Sequence, residues 1–170
     1  MDFSQLAQAR YSVRKYDSRC VESEKVEQLL RMVQLSPTSV NFQPQHVYVI
    51  QSAEAMEKLR LCTPYSYGAP LAFLMCYDRR RCWYHPNTGK PSGDLDASIC
   101  LTHMMMQAAD LGLGTLWVNG YDPNLLRQQF SIPEIYEDTA ILFVGYPREA
   151  SRPARLHEQT RALNEMVTIL

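Results

Sequence analysis

Apolar residues recur along this chain with two different periods. At Val26, Leu29, Leu30 and Val33 they return every three or four residues, which is one face of an α-helix. The pattern predicts a helix over 22–35, capped by Ser23 or a neighbour and ended by Pro37. Shorter helices are predicted over 4–9, with Leu6 on the apolar side, over 53–61, and from Pro123 to Phe130. A long one should run from a cap at Asp94 to Leu111, closed by Gly112. Its Met104, Met105 and Met106 read as core or subunit contact. A near-continuous apolar run at 71–77 reads as a strand buried on both faces, 139–144 reads as a last apolar strand, and further strands are read at 47–50 and 115–118. Strands and helices alternate and hairpin signals are scarce. An α+β domain with helices on both sides of one sheet follows. Residues 85–93, with two prolines, two glycines and Asn87-Thr88-Gly89, read as a mobile loop over a site or as a plain surface connection.

Composition narrows the possibilities. A length of 170 residues fits a single domain over 1–170, and 46% hydrophobic residues suffice for a core. A formal net charge of −1, with no basic tract, gives nucleic acid or a membrane surface no handle. Met1-Asp2-Phe3-Ser4 lacks the marks of a signal peptide, and no apolar run is long enough to span a bilayer, so the expected compartment is cytoplasmic. The five cysteines include no CxxC pair, and Cys76 and Cys100 are expected in the core. Cys82 and His85 have ligand-like spacing but no second pair, so no metal site is expected, and Cys82 is placed in a mobile connection. His103 reads as a core or surface histidine.

Two stretches carry the chemistry. In Arg10-Tyr11-Ser12-Val13-Arg14-Lys15-Tyr16, residues 10, 12 and 14 share one face if the chain is extended. Two guanidinium forks and a hydroxyl on that face match a phosphate. Ser36-Pro37-Thr38-Ser39-Val40-Asn41-Phe42-Gln43-Pro44 collects small polar groups and amides at a helix end, suited to the edge of a flat polar ring. Taken singly, the first also describes a solvated edge and the second a plain loop. Together they describe a nucleotide cofactor.

These stretches resemble those of the nitroreductase family of flavin mononucleotide (FMN) enzymes. The resemblance continues, in order, through Asp96–Leu111, Gly112–Tyr121, Ile132-Pro133 and Ile141–Pro147. It implies a layered fold with a mainly antiparallel central sheet flanked by helices. It also implies an intertwined homodimer with a flavin at each of two sites between subunits. Carried across, Arg10, Ser12 and Arg14 grip the phosphate and ribityl chain, with Tyr11 beside the ring. Pro37, Thr38, Ser39 and Asn41 come from the partner, and Gln43 lies near the pyrimidine side. Trp117, Val118 and Asn119 pack under or along the isoalloxazine, and the Gly120 N–H lies close to N5. Arg161, or alternatively Arg155, reaches the phosphate from a tail (148–170) that extends onto the partner.

Asn119 stands where many members have Glu, and 62–65 offers neither the Asn nor the Lys that larger members place near the pyrimidine. The implied activity is ping-pong oxidoreduction, with NAD(P)H as transient donor and a nitroaromatic, quinone or other flat acceptor. No side chain is assigned as a catalytic acid or base. The alternatives are reductive dehalogenation or flavin fragmentation on the same scaffold, a flavin-binding module, and a non-flavin structural protein.

Overall fold

The computed structural model describes residues 2–170. Helix α1 (Phe3–Ala9) opens with a capping box: Asp2 accepts from Gln5 N–H while the Gln5 side chain accepts from Asp2 N–H. It is followed by α2 (Ser23–Leu35), β1 (Gln45–Ile50), α3 (Ala53–Cys62), β2 (Leu71–Asp78) and α4 (Gly93–Asp110). The second half adds β3 (Gly114–Val118), α5 (Pro123–Phe130) and β4 (Tyr136–Gly145). The four strands form one sheet, in the order β1-β2-β4-β3, and every pairing is antiparallel. The expected α+β architecture and mainly antiparallel sheet are therefore borne out.

The two central strands carry the core. On one face Leu74, Ile141 and Phe143 pack with Leu59 of α3 and Leu126 of α5. On the other, Phe73, Met75 and Leu142 pack with Leu101 and Met104 of α4 and Leu29 of α2. Burial on both faces is what the unbroken apolar runs encoded. Cys76 and Cys100 are in this core as expected. Burial pushes the Cys76 thiol up to about 12 and also raises Cys62 and Cys100, so none of the three offers a thiolate at neutral pH.

Several boundaries differ from the sequence reading. Strand β4 begins at Tyr136 rather than Thr139, because the polar start of the strand is held by ion pairs. Arg127 reaches Asp138 at 2.9 Å and Arg79 reaches Glu137 at 3.1 Å. A β-bulge lies here: Met75 pairs with Ala140 and Cys76 with Asp138, leaving Thr139 unopposed. Residues 84–92, within the stretch read as a mobile loop or a plain surface connection, form an internally bonded turn. Tyr84 bridges Pro91, and the N–H groups of His85 and Gly89 donate to Lys90 and His85 carbonyls. Cys82 is buried at its base, donating to the Arg79 carbonyl, and does not lie in a mobile connection.

Glu22, the neighbour of Ser23, occupies the α2 cap position but makes no side-chain cap, and Ser92 rather than Asp94 stands at the start of α4. The Glu22 carboxylate instead accepts from Tyr146 Oη at 2.6 Å and pairs with Arg19. Lys25 Nζ joins this group, donating to Tyr146 Oη and to the Leu111 carbonyl at the end of α4. The Tyr146 hydrogen bond, then a backbone N–H, then Arg19 hold Glu22 down from its ordinary 4.5 to about 2. A depressed carboxylate contributes stability that is present above pH 4.5 and lost as pH falls through about 2. Glu22→Gln should therefore give a flatter stability profile across that window in urea unfolding at a series of pH values. Superimposable slopes for the two proteins would contradict this assignment.

The N-terminal ribbon is extended, as predicted, and lies along β3. Ser12 makes a parallel bridge with Thr115, and Val13 N–H donates to the Thr115 carbonyl at 2.9 Å. Val13 and Tyr16 are buried beneath it. Gly114 permits this approach, since a Cβ there would stand 2.5 Å from Val13 Cγ2.

Candidate functional site

The ribbon brings part of the predicted site together on the β3 edge of the sheet. Arg14 lines a cleft of about 250 Å³ with Tyr65, Tyr67, Trp117, Asn119 and Gly120. Leu116 and Val118 complete its wall. Toward the other end of β3, Arg10 and Tyr11 line a second crevice of about 170 Å³ with Gly114 and Thr115. The parallel register of Ser12 with Thr115 accounts for this arrangement: Arg10 and Arg14 fall on either side of that bridge. Among the described residues, neither guanidinium has a carboxylate partner. Arg14 donates only to the Ser12 carbonyl, at 3.3 Å.

The cleft floor is built from the end of β3. Trp117 Nε1 donates to Asn119 Oδ1 at 2.5 Å, and Asn119 Nδ2 donates to the Thr139 carbonyl. Thr139 lies beyond the last β3–β4 pair, Val118 with Ile141, and Asn119 uses its carbonyl to fix the indole. Asn119 therefore acts on Trp117. Gly120 follows, and no described residue accepts from its N–H. Its carbonyl accepts from Thr63 Oγ1 at 2.7 Å, and Tyr65 N–H donates to the same hydroxyl. The 63–67 loop is thus tied to the cleft. The Tyr65 ring lies so close that a Cβ on Gly120 would meet Tyr65 Cε2 at 2.7 Å. Tyr67 follows with a positive φ of 49°. Below the floor, burial and then an Asp138 hydrogen bond push the Tyr121 phenol far above its ordinary value, keeping it a donor to Asp138 at 2.8 Å.

Tyr11, which lines the second crevice, turns its hydroxyl to Ser151 Oγ and meets the His157 ring edge-on. The remaining predicted residues lie elsewhere. Arg161 pairs with Glu165 in the tail and lines neither crevice. The segment holding Pro37, Thr38, Ser39, Asn41 and Gln43 leads into β1, at the opposite edge of the sheet from β3. Ser39 is bonded there to Asp96 of α4. A single chain does not bring the two motif stretches to one place.

Sequence reasoning did not pick out Thr63, Tyr65, Tyr67 or Asp96. Tyr65 and Tyr67 carried a faint signal, as aromatic residues beside a glycine in a loop. Asp96 enters only as the first residue of the family-like segment Asp96–Leu111, with no role of its own. Among the described residues, no three His, Cys, Asp or Glu side chains are grouped to hold a metal, and no helix is long and apolar enough to cross a membrane.

Comparison with known proteins agrees with this geometry. The sequence profile of the nitroreductase family matches residues 7–63 and 64–146. A nitroreductase family protein from Clostridium difficile is 42% identical, with a TM-score of 0.93 over 99% of this chain and 98% of that one. An FMN reductase [NAD(P)H] of Bacillus subtilis is 28% identical over 94% of this chain and 71% of its own length. An FMN-dependent nitroreductase from Clostridium difficile R20291, 24% identical, shares the fold with a TM-score of 0.77 over 96% of both chains. With the profile covering most of its length, the chain belongs to the nitroreductase family.

Proposed function

We propose that this chain is an FMN-dependent oxidoreductase that draws on NAD(P)H and reduces a flat acceptor such as a nitroaromatic or a quinone. In this reading it works as a homodimer, with a ring site at each β3 edge. The observation that carries the reading is the β3 cleft itself. Two guanidinium groups without carboxylate partners flank one strand, and the same strand runs on to the unpaired Gly120 N–H.

These residues fit FMN. Arg10, Ser12 and Arg14 supply charge-assisted donors for the phosphate and ribityl chain. Trp117, fixed by Asn119, gives the ring a rigid wall together with Val118. The Gly120 N–H is a donor that stabilises negative charge on a reduced ring without reorganising. When bound, FMN would supply the redox chemistry between NAD(P)H and the acceptor. Donor and acceptor use one open face in turn, which gives ping-pong kinetics, and the chain need supply no acid or base.

The sheet order supports the homodimer. Pro37, Thr38, Ser39, Asn41 and Gln43 stand at the far edge of their own sheet, and in this reading a second copy carries them to the ring. The exposed apolar side chains of the tail, among them Leu156, Leu163 and Ile169, also need a partner surface. In that arrangement Arg161 exchanges Glu165 for the phosphate.

Sedimentation of the purified protein after addition of FMN tests the assembly. The expected species is a yellow dimer with flavin in each subunit. A monomer that binds FMN equally well overturns the shared site. A protein that stays colourless overturns the cofactor.

A further inference from the structure

The 39–43 segment has an unusual backbone. Val40, Asn41 and Gln43 all have positive φ, of 47°, 55° and 50°. Asparagine tolerates this region, but a β-branched valine is strained there. Such strain persists only where the surroundings over-determine it, and it gathers at functional sites. Val40 and Phe42 are 65% and 49% exposed, so the strain does not serve to fill the subunit's own core.

One buried carboxylate does most of the holding. Asp96 is 2% exposed in the first turn of α4, an end that favours negative charge. Its Oδ1 accepts from both Ser39 N–H, at 2.9 Å, and Ser39 Oγ, at 3.0 Å. Its Oδ2 accepts from Ser92 Oγ at 2.8 Å. No cation pairs with it among the described residues, so its hydrogen bonds are spent on serines. Thr38 Oγ1 closes the loop by accepting from Gln43 N–H at 3.1 Å, and Ser36 Oγ fixes its entry on the Met32 carbonyl.

We propose that Asp96 is a positioning residue for the cofactor site: it holds 39–43 in this left-handed conformation, so that Ser39, Asn41 and Gln43 are presented to the ring bound by the second copy. The inference rests on the reading that this segment lines FMN. Asp96 touches no ligand and acts through Ser39.

Amide hydrogen exchange over 38–43, FMN affinity and the visible spectrum of bound flavin test it together. In Asp96→Ala, exchange in that segment should quicken and FMN affinity fall, each by about tenfold or more, with a shifted flavin band. Asp96→Asn keeps an Oδ1 acceptor for Ser39 and should restore most of both. Lys25→Ala, which loosens the other end of α4, should lower the melting temperature without moving the flavin band. If Asp96→Ala does not fold, Ser39→Ala loses one of the bonds and should show both changes in smaller measure. Native protein that binds FMN, with a variant of unchanged affinity and spectrum, overturns the positioning role alone. So does lost affinity with unchanged exchange over 38–43. Native protein that binds no FMN sinks this role together with the reading beneath it.

Discussion

Arg10→Ala and Arg14→Ala should each hold FMN about 10–100-fold less tightly than the native chain, and the double variant should purify without it. A hydrogen bond to a charged group contributes roughly 1.5–3 kcal/mol, and tenfold in affinity is about 1.4 kcal/mol. The loss should fall on binding and not on folding. Neither guanidinium has a carboxylate partner, and Arg14 donates only to the Ser12 carbonyl. Removing either should change stability by no more than about 0.5 kcal/mol. Fluorescence titration of flavin measures the first quantity and urea unfolding the second. Unchanged affinity in both single variants removes the phosphate assignment.

Phe143→Ala should cost about 3–5 kcal/mol, a large part of the whole stability of a domain this size. Phe143 is fully buried near the C-terminal end of β4, opposite Ala72 on β2 and Leu116 on β3. Its backbone carbonyl accepts from Tyr16 Oη at 3.4 Å, which helps fasten the ribbon. Val13 and Tyr16 of the ribbon share its cluster and leave little freedom to collapse around the lost ring, and the residual cavity adds to the lost transfer energy. Urea unfolding of the variant should show a much lower midpoint with little change in slope. A loss below about 1 kcal/mol would mean that this face of the sheet is loosely packed and does not hold the cleft rigid.

The fold was legible where one physical signal dominated. Continuous apolar runs gave β2 and most of β4, and the three-to-four spacing gave α2. Antiparallel pairing came from the family resemblance, since nothing local in these strands states their partners. What stayed hidden depended on contacts distant in sequence. The start of β4 is polar and is stabilised by Arg79 and Arg127 from other elements, so hydrophobic patterning stopped at Thr139. Glu22 sits at the cap position without capping, because its carboxylate is taken by Tyr146, a residue that only the fold brings near. The turn over 84–92 looked loose because its order lies in backbone bonds and in the burial of Cys82 at its base.

The candidate site divides in the same way. The alternation of Arg10, Ser12 and Arg14 was readable because an extended ribbon needs only its own period. The use of Asn119 to fix Trp117 was not, because it depends on the Thr139 carbonyl of β4, 20 residues away in sequence. Tyr65 reaches Gly120 through a loop tied by Thr63, and Asp96 reaches Ser39 across the gap between α4 and the start of β1. These are tertiary juxtapositions, and a single sequence carries no trace of them.

Anaerobic addition of NADH, and separately NADPH, to the FMN-loaded protein tests the central claim most directly. The account predicts that the visible flavin band bleaches promptly with at least one donor and returns when a quinone or nitroaromatic acceptor is admitted. A bound yellow chromophore that resists both donors would contradict it, and would make the chain a flavin-binding module.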